Sequence, residues 1–80
     1  MTTARLVLFG PAREAAGVSA VAMHATTVEG VIAEAERRFG EPFARVVAAS
    51  NIWVNGREAA PHMALGDDDE VAVLPPVSGG

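Results

Sequence analysis

Residues 26–42, TTVEGVIAEAERRFGEP, hold the pattern that dictates what the rest of the chain must supply. Val28, Val31, Ile32, Ala35 and Phe39 recur at helical intervals and form one apolar stripe. Glu29, Glu34, Glu36, Arg37 and Arg38 fall mostly on the opposite face, acids early and arginines late, as the helix dipole favours. Thr26 or Thr27 can cap the start, and Thr26 with Glu29 has the spacing of a capping box. Gly40 is placed to end the helix and Pro42 to stop it. Such a helix must bury its stripe against a second layer. In a chain of 80 residues that layer has to come from the flanking segments.

Those segments read as strands. Residues 4–9 (ARLVLF) are branched and aromatic, with Leu6 and Leu8 facing one side and Val7 and Phe9 the other. Residues 12–16 (AREAA) offer a helical turn at best, closed by Gly17, and residues 19–24 (SAVAMH) a second, weaker strand. After the helix, residues 43–49 (FARVVAA) read as a short irregular or 3₁₀ stretch. Residues 52–54 (IWV) form a strand that turns at Asn55-Gly56, a strong hairpin signal, into a return strand over 57–60 that Pro61 breaks. The acidic run GDDDE leads into the last strand, 70–74, with Val71 and Val73 on one face and Ala72 and Leu74 on the other. The first and last strands are the most apolar, so they are expected side by side at the sheet centre, parallel, with the helix crossing between them. The expectation is an α+β domain with a mixed sheet of about five strands and one main helix on one face, the β-grasp or ubiquitin-like arrangement. Residues 1–74 would form the globular domain and residues 75–80 an extended tail.

Composition removes several functions. The six basic residues are all Arg and are scattered, against ten acidic ones, for a net charge of −4; nucleic acid is not an expected partner. An acidic globule of this kind is steered toward a basic partner surface. The absence of cysteine removes thiolate metal sites and a cysteine nucleophile. No apolar run suits a signal peptide or a membrane span, so a cytoplasmic location without membrane attachment is expected. His24 and His62 lack neighbouring ligands, and residues 67–70 lack the ligand spacing of a calcium loop, so no metal site is expected. Ser50 and Ser78 have no His and Asp arrangement beside them, and autonomous catalysis is not expected.

The ending PPVSGG is the functional signal. Pro75 and Pro76 fix φ and favour an extended path, and the six residues beyond Leu74 reach about 20 Å. Gly79 and Gly80 carry no β-carbon, so an enzyme channel can close on bare backbone. A terminal carboxylate is ionised above a pKa of about 3.5 and is a poor electrophile until activated. The tail is thus suited to carrying a carboxylate into another protein's active site.

The segments RLVLFGPAREAAG, TTVEGVI, VNG and LGDDDEVAVLPPVSGG, in this order, resemble the sulfur-carrier small subunit of molybdopterin synthase, a ubiquitin-like family. The resemblance implies a β-grasp fold and a defined chemistry. A partner similar to the ubiquitin-activating adenylyltransferases uses ATP to adenylate Gly80. A sulfur donor then makes the thiocarboxylate, and the large synthase subunit passes that sulfur to a cyclic pyranopterin precursor. No cofactor would be bound by this chain itself. Gly80 would be the reacting residue and Gly79 its slim neighbour in the channel. Phe9, Arg13, Trp53, Leu74, Pro75, Pro76, Val77 and Ser78 would contact partners, with Phe9, Leu74 and Trp53 forming an apolar patch opposite the helix. For Trp53 and Phe9 a plain core role stays open. Asp68 stands where the family usually has Gly, which leaves the geometry of that turn open. Carriers of the same fold for thiazole, cysteine or tRNA thiolation, a ubiquitin-like modifier and a non-covalent adaptor are the alternatives.

Overall fold

The structure is a computed structural model that describes residues 2–75. Pro76, Val77, Ser78, Gly79 and Gly80, named above for the tail, lie outside the described residues. Along the chain run β1 (Ala4–Leu8), α1 (Gly10–Ala16), β2 (Ala20–Met23), α2 (Val28–Phe39), α3 (Glu41–Ala48), β3 (Asn51–Val54), β4 (Arg57–Glu58) and β5 (Glu70–Leu74). The five strands form one sheet in the order β2-β1-β5-β3-β4. β1 and β5 are parallel neighbours at its centre, and the other pairs are antiparallel. A parallel pair needs a crossover, and α2 lies within it. This is the expected β-grasp.

Strand alternation sorts the side chains as the sequence pattern requires. Leu6, Leu8, Val71 and Val73 are buried beneath the helices, with Val31 and Ala35 of α2, Met23 and Phe43. Val28 is also buried, whereas Ile32 and Phe39 are half-buried at the margin of the stripe. Among the described residues no helix is long and apolar enough to cross a membrane.

Four local expectations need correction. Residues 10–16 form a seven-residue helix, more than a turn, with Pro11 in its first turn where the missing N–H costs nothing. Residues 41–48 are also helical, not irregular or 3₁₀. Pro42 sits in the first turn of α3, so the residue that stops α2 also starts the next helix. Phe39 and Phe43 meet across that corner with ring centroids 5.1 Å apart and tilted by 60°, which fixes α3 against α2. The cap of α2 is Thr27, whose Oγ1 accepts from the Gly30 N–H at 3.1 Å. Thr26 is instead drawn into the backbone bond from Leu65 N–H, and Glu29 bonds His62 at 3.0 Å, so no Thr26–Glu29 box forms. The return strand β4 spans two residues, although Ala59 N–H still donates to Ile52 before Pro61 leads the chain away.

Asn55 and Gly56 take φ values of 50° and 83°, the positive pair that a tight hairpin turn needs. The same Asn55 joins the turn to the start of β5. Its N–H donates to the Glu70 carbonyl and its side-chain oxygen accepts from the Glu70 N–H, both at 2.9 Å. Asp68, where glycine is usual in similar chains, has φ of 68° and donates its N–H to Thr3. Aspartate is one of the few side chains that tolerate this left-handed region.

Candidate functional site

The candidate site is built where β1 and β5 end together. Their register pairs Leu8 with Val73, and one residue further it sets Phe9 level with Leu74. Phe9 keeps extended backbone (φ −128°, ψ 153°), donates its N–H to the Val73 carbonyl at 3.3 Å, and is the N-cap residue of α1. The chain then bends at Gly10, which has φ of 54°. A β-carbon there would lie 3.7 Å from Cγ of Pro75, so Pro75 rests over a position kept bare. Pro75, the first residue after β5, therefore lies across the entry to α1, beside Phe9.

The open face of the sheet, away from the helices, continues this patch. Pairing places Trp53, Ala72, Val7 and Ala20 in one row across four strands, with Leu74 opposite Asn51 in the row nearer the tail. Phe9 is 44% exposed and Trp53 37% exposed, while Leu74 is half-buried. Neither aromatic side chain belongs to the buried core. Val18 is the third exposed large hydrophobic residue among those described. Leu8 N–H bonds the Ser19 carbonyl, so the β1–β2 register carried one residue further sets Val18 opposite Phe9. Sequence reading missed Val18 because its side depends on that register, which the length of α1 decides.

Arg13 was expected in a helical turn at best after β1. It lies in the last turn of α1, exposed, and among the described residues it forms no ion pair. Arg5 and Glu70 pair in register on the open face at the end away from the tail, so that end is polar. A carboxylate with a shifted pKa also lies there. The Asp69 carboxylate accepts from Gly66 N–H at 2.8 Å and from the Asn55 amide at 3.1 Å, and these bonds hold its pKa below the ordinary carboxylate value.

Among the described residues no three His, Cys, Asp or Glu side chains are grouped to hold a metal. What the geometry supplies is an exposed aromatic and aliphatic patch adjoining the root of a tail, the makings of a docking surface rather than a reaction pocket.

Comparison with known proteins agrees with the fold. A model of the ThiS family matches residues 6–80. A protein provisionally named molybdopterin converting factor, subunit 1, from Pyrococcus furiosus is 31% identical with a TM-score of 0.86, covering 96% of this chain and 100% of that one. The small archaeal modifier protein 1 of Methanosarcina acetivorans is 27% identical with a TM-score of 0.85, covering 100% and 98%. A chain from the complex of subunits 1 and 2 of molybdopterin-converting factor from Helicobacter pylori 26695 shares the fold at 22% identity and a TM-score of 0.74, covering 98% and 99%. A search of curated proteins found no match. With its sheet order, helical layer and a family match that runs through the terminal glycines, this chain belongs to the ThiS family of ubiquitin-like sulfur carriers.

Proposed function

We propose that this chain carries sulfur on Gly80 for the assembly of molybdopterin. The observation that carries the reading is the 31% identity to a molybdopterin converting factor subunit over 96% of the chain. The exposed patch at the root of the tail supports it. In the proposed cycle the Gly80 carboxylate attacks the α-phosphorus of ATP on an adenylyltransferase partner, and pyrophosphate leaves. A sulfide-level sulfur then attacks the acyl carbon, AMP leaves, and the thiocarboxylate remains. The loaded chain docks on the large synthase subunit through Phe9, Trp53 and Leu74, with exposed Arg13 as a further contact. Pro75 and Pro76 hold the exit extended, and Val77, Ser78 and Gly79 pass the thiocarboxylate inward to the pyranopterin precursor.

A second reading, a protein modifier that ends in an amide bond to lysine, draws on the similarity to small archaeal modifier protein 1. One experiment separates them. Incubation with activating enzyme, ATP and sulfide should raise the intact mass by about 16 Da as sulfur replaces oxygen. Deletion of Gly80 should abolish that gain and leave the melting temperature unchanged. Persistent lysine-linked adducts in cell extract, with no transfer of sulfur to a pterin precursor, would replace the first reading with the second.

A further inference from the structure

The helical side of the molecule carries a second apolar feature, remote from the tail. A groove of 270 Å³ lies between α2, β3 and the chain after β4. Ile32 and Ala33 of α2, Ile52 of β3, and Ala59 and Pro61 supply its apolar surface. Its walls are tied in place. Ala59 N–H donates to the Ile52 carbonyl, and Glu29 N–H donates to the Pro61 carbonyl, each at 3.0 Å. The segment that forms one wall is thus bonded to both of the others.

The rim has one sign of charge. Glu29 and Glu36 border the groove, and no arginine lines it. Glu29 holds His62, whereas Glu36 has no ion-pair partner among the described residues. Glu34 and Glu41, by contrast, are paired along their helices with Arg38 and Arg45. The volume falls below the roughly 300 Å³ at which pockets for small molecules begin, so one or two side chains fill it. An apolar floor with an acidic edge selects an aliphatic group with a cation beside it.

We propose that this groove docks a protein segment presenting one aliphatic side chain next to a lysine or arginine. Ile52 faces the helices, in register with buried Val73, while Trp53 faces the open sheet. An occupant of the groove therefore leaves Phe9, Trp53 and Leu74 uncovered. One protein holds the carrier here while another engages the tail.

The test does not depend on chemistry at Gly80 and uses the full chain, ¹⁵N-labelled, titrated with two blocked peptides. One is a short Ser/Gly peptide with Lys-Leu-Arg at its centre, and the other has Ser in place of the Leu. Saturable amide shifts at Ala33, Glu36, Ile52 and Ala59 are expected with the first peptide alone. Glu36→Gln should weaken binding about two- to fivefold, as loss of an exposed charge pair does. Ala33→Arg, at an exposed helical position, should abolish binding and leave the thermal melt unchanged. The proposal is overturned by no saturable shift, by equal shifts with both peptides, or by undiminished binding of Ala33→Arg. Shifts centred on Phe9 and Trp53 would overturn it too. So would the same groove shifts on concentrating the protein alone, which would make a second copy the occupant.

Discussion

Phe9 and Phe43 are the same side chain set to opposite uses. Phe43 is fully buried on α3, the helix that packs against α1 and α2, and its truncation to Ala should cost about 3–5 kcal/mol. Phe9 is 44% exposed, so Phe9→Ala should cost about 1 kcal/mol or less in stability. If Phe9 anchors a partner, the same change should weaken binding by over about 2 kcal/mol, roughly thirtyfold. Urea denaturation alongside calorimetric titration with a synthase large subunit measures both quantities. A stability loss near that of Phe43→Ala, with binding by the folded fraction unchanged, would remove Phe9 from the docking face. The outward side of Phe9 was legible because a strand alternates with period two and Leu6 and Leu8 claim the inward side. Asp68 was legible only as a departure from the pattern of the family it resembles; its positive φ marks a position that glycine would fit without strain.

At the scale of elements, the clip between the β3–β4 turn and the start of β5 gives pH one point of action on the fold. Asp69 is held as a carboxylate first by the backbone N–H of Gly66 and then by the amide of Asn55. Its folded pKa lies below the unfolded value of about 3.9, so its stabilisation is present above that value. It is lost as pH falls through the lower, folded value. Asp69→Asn should therefore lower the melting temperature at neutral pH and flatten its decline below about pH 5. Identical acid limbs for the two proteins would show that Asp69 contributes nothing to the pH dependence. β1, β5 and α2 could be read from the sequence because each carries a full period of buried residues. α1 and α3 were understated for a different reason. Each is short and has proline in its first turn, and proline read alone suggests a break, although the first turn is where a helix accepts it. Of the two threonines that could cap α2, Thr27 does so, because the Thr27↔Ala64 bridge and the Leu65 bond commit Thr26 to the neighbouring loop. Long-range pairing of that kind leaves no local mark.

For the molecule as a whole, the side-by-side placing of β1 and β5 was deducible because the two most apolar strands claim the centre of the sheet, whereas the order of the other three was not read. The proposed docking face followed from that pairing, while Val18 and the groove beside α2 depend on loops whose course no periodicity records. Pro75, the last described residue, rests over Gly10. Replacing Pro75 and Pro76 with glycine should leave the melting temperature nearly unchanged and weaken both proposed partners, by on the order of 1 kcal/mol of ordering cost per freed residue. Unaltered affinity by calorimetry would reduce the prolines to strand terminators. The tail is continuous with β5, and β5 is bonded on one side to β1 and on the other to β3. Any machine that draws on the last residues therefore loads two ladders lengthwise. Because β1 runs parallel to β5, tension between the two ends of the chain shears their whole register instead of peeling it one bond at a time. The tail proposed as a handle is rooted in the strand best placed to resist being pulled out.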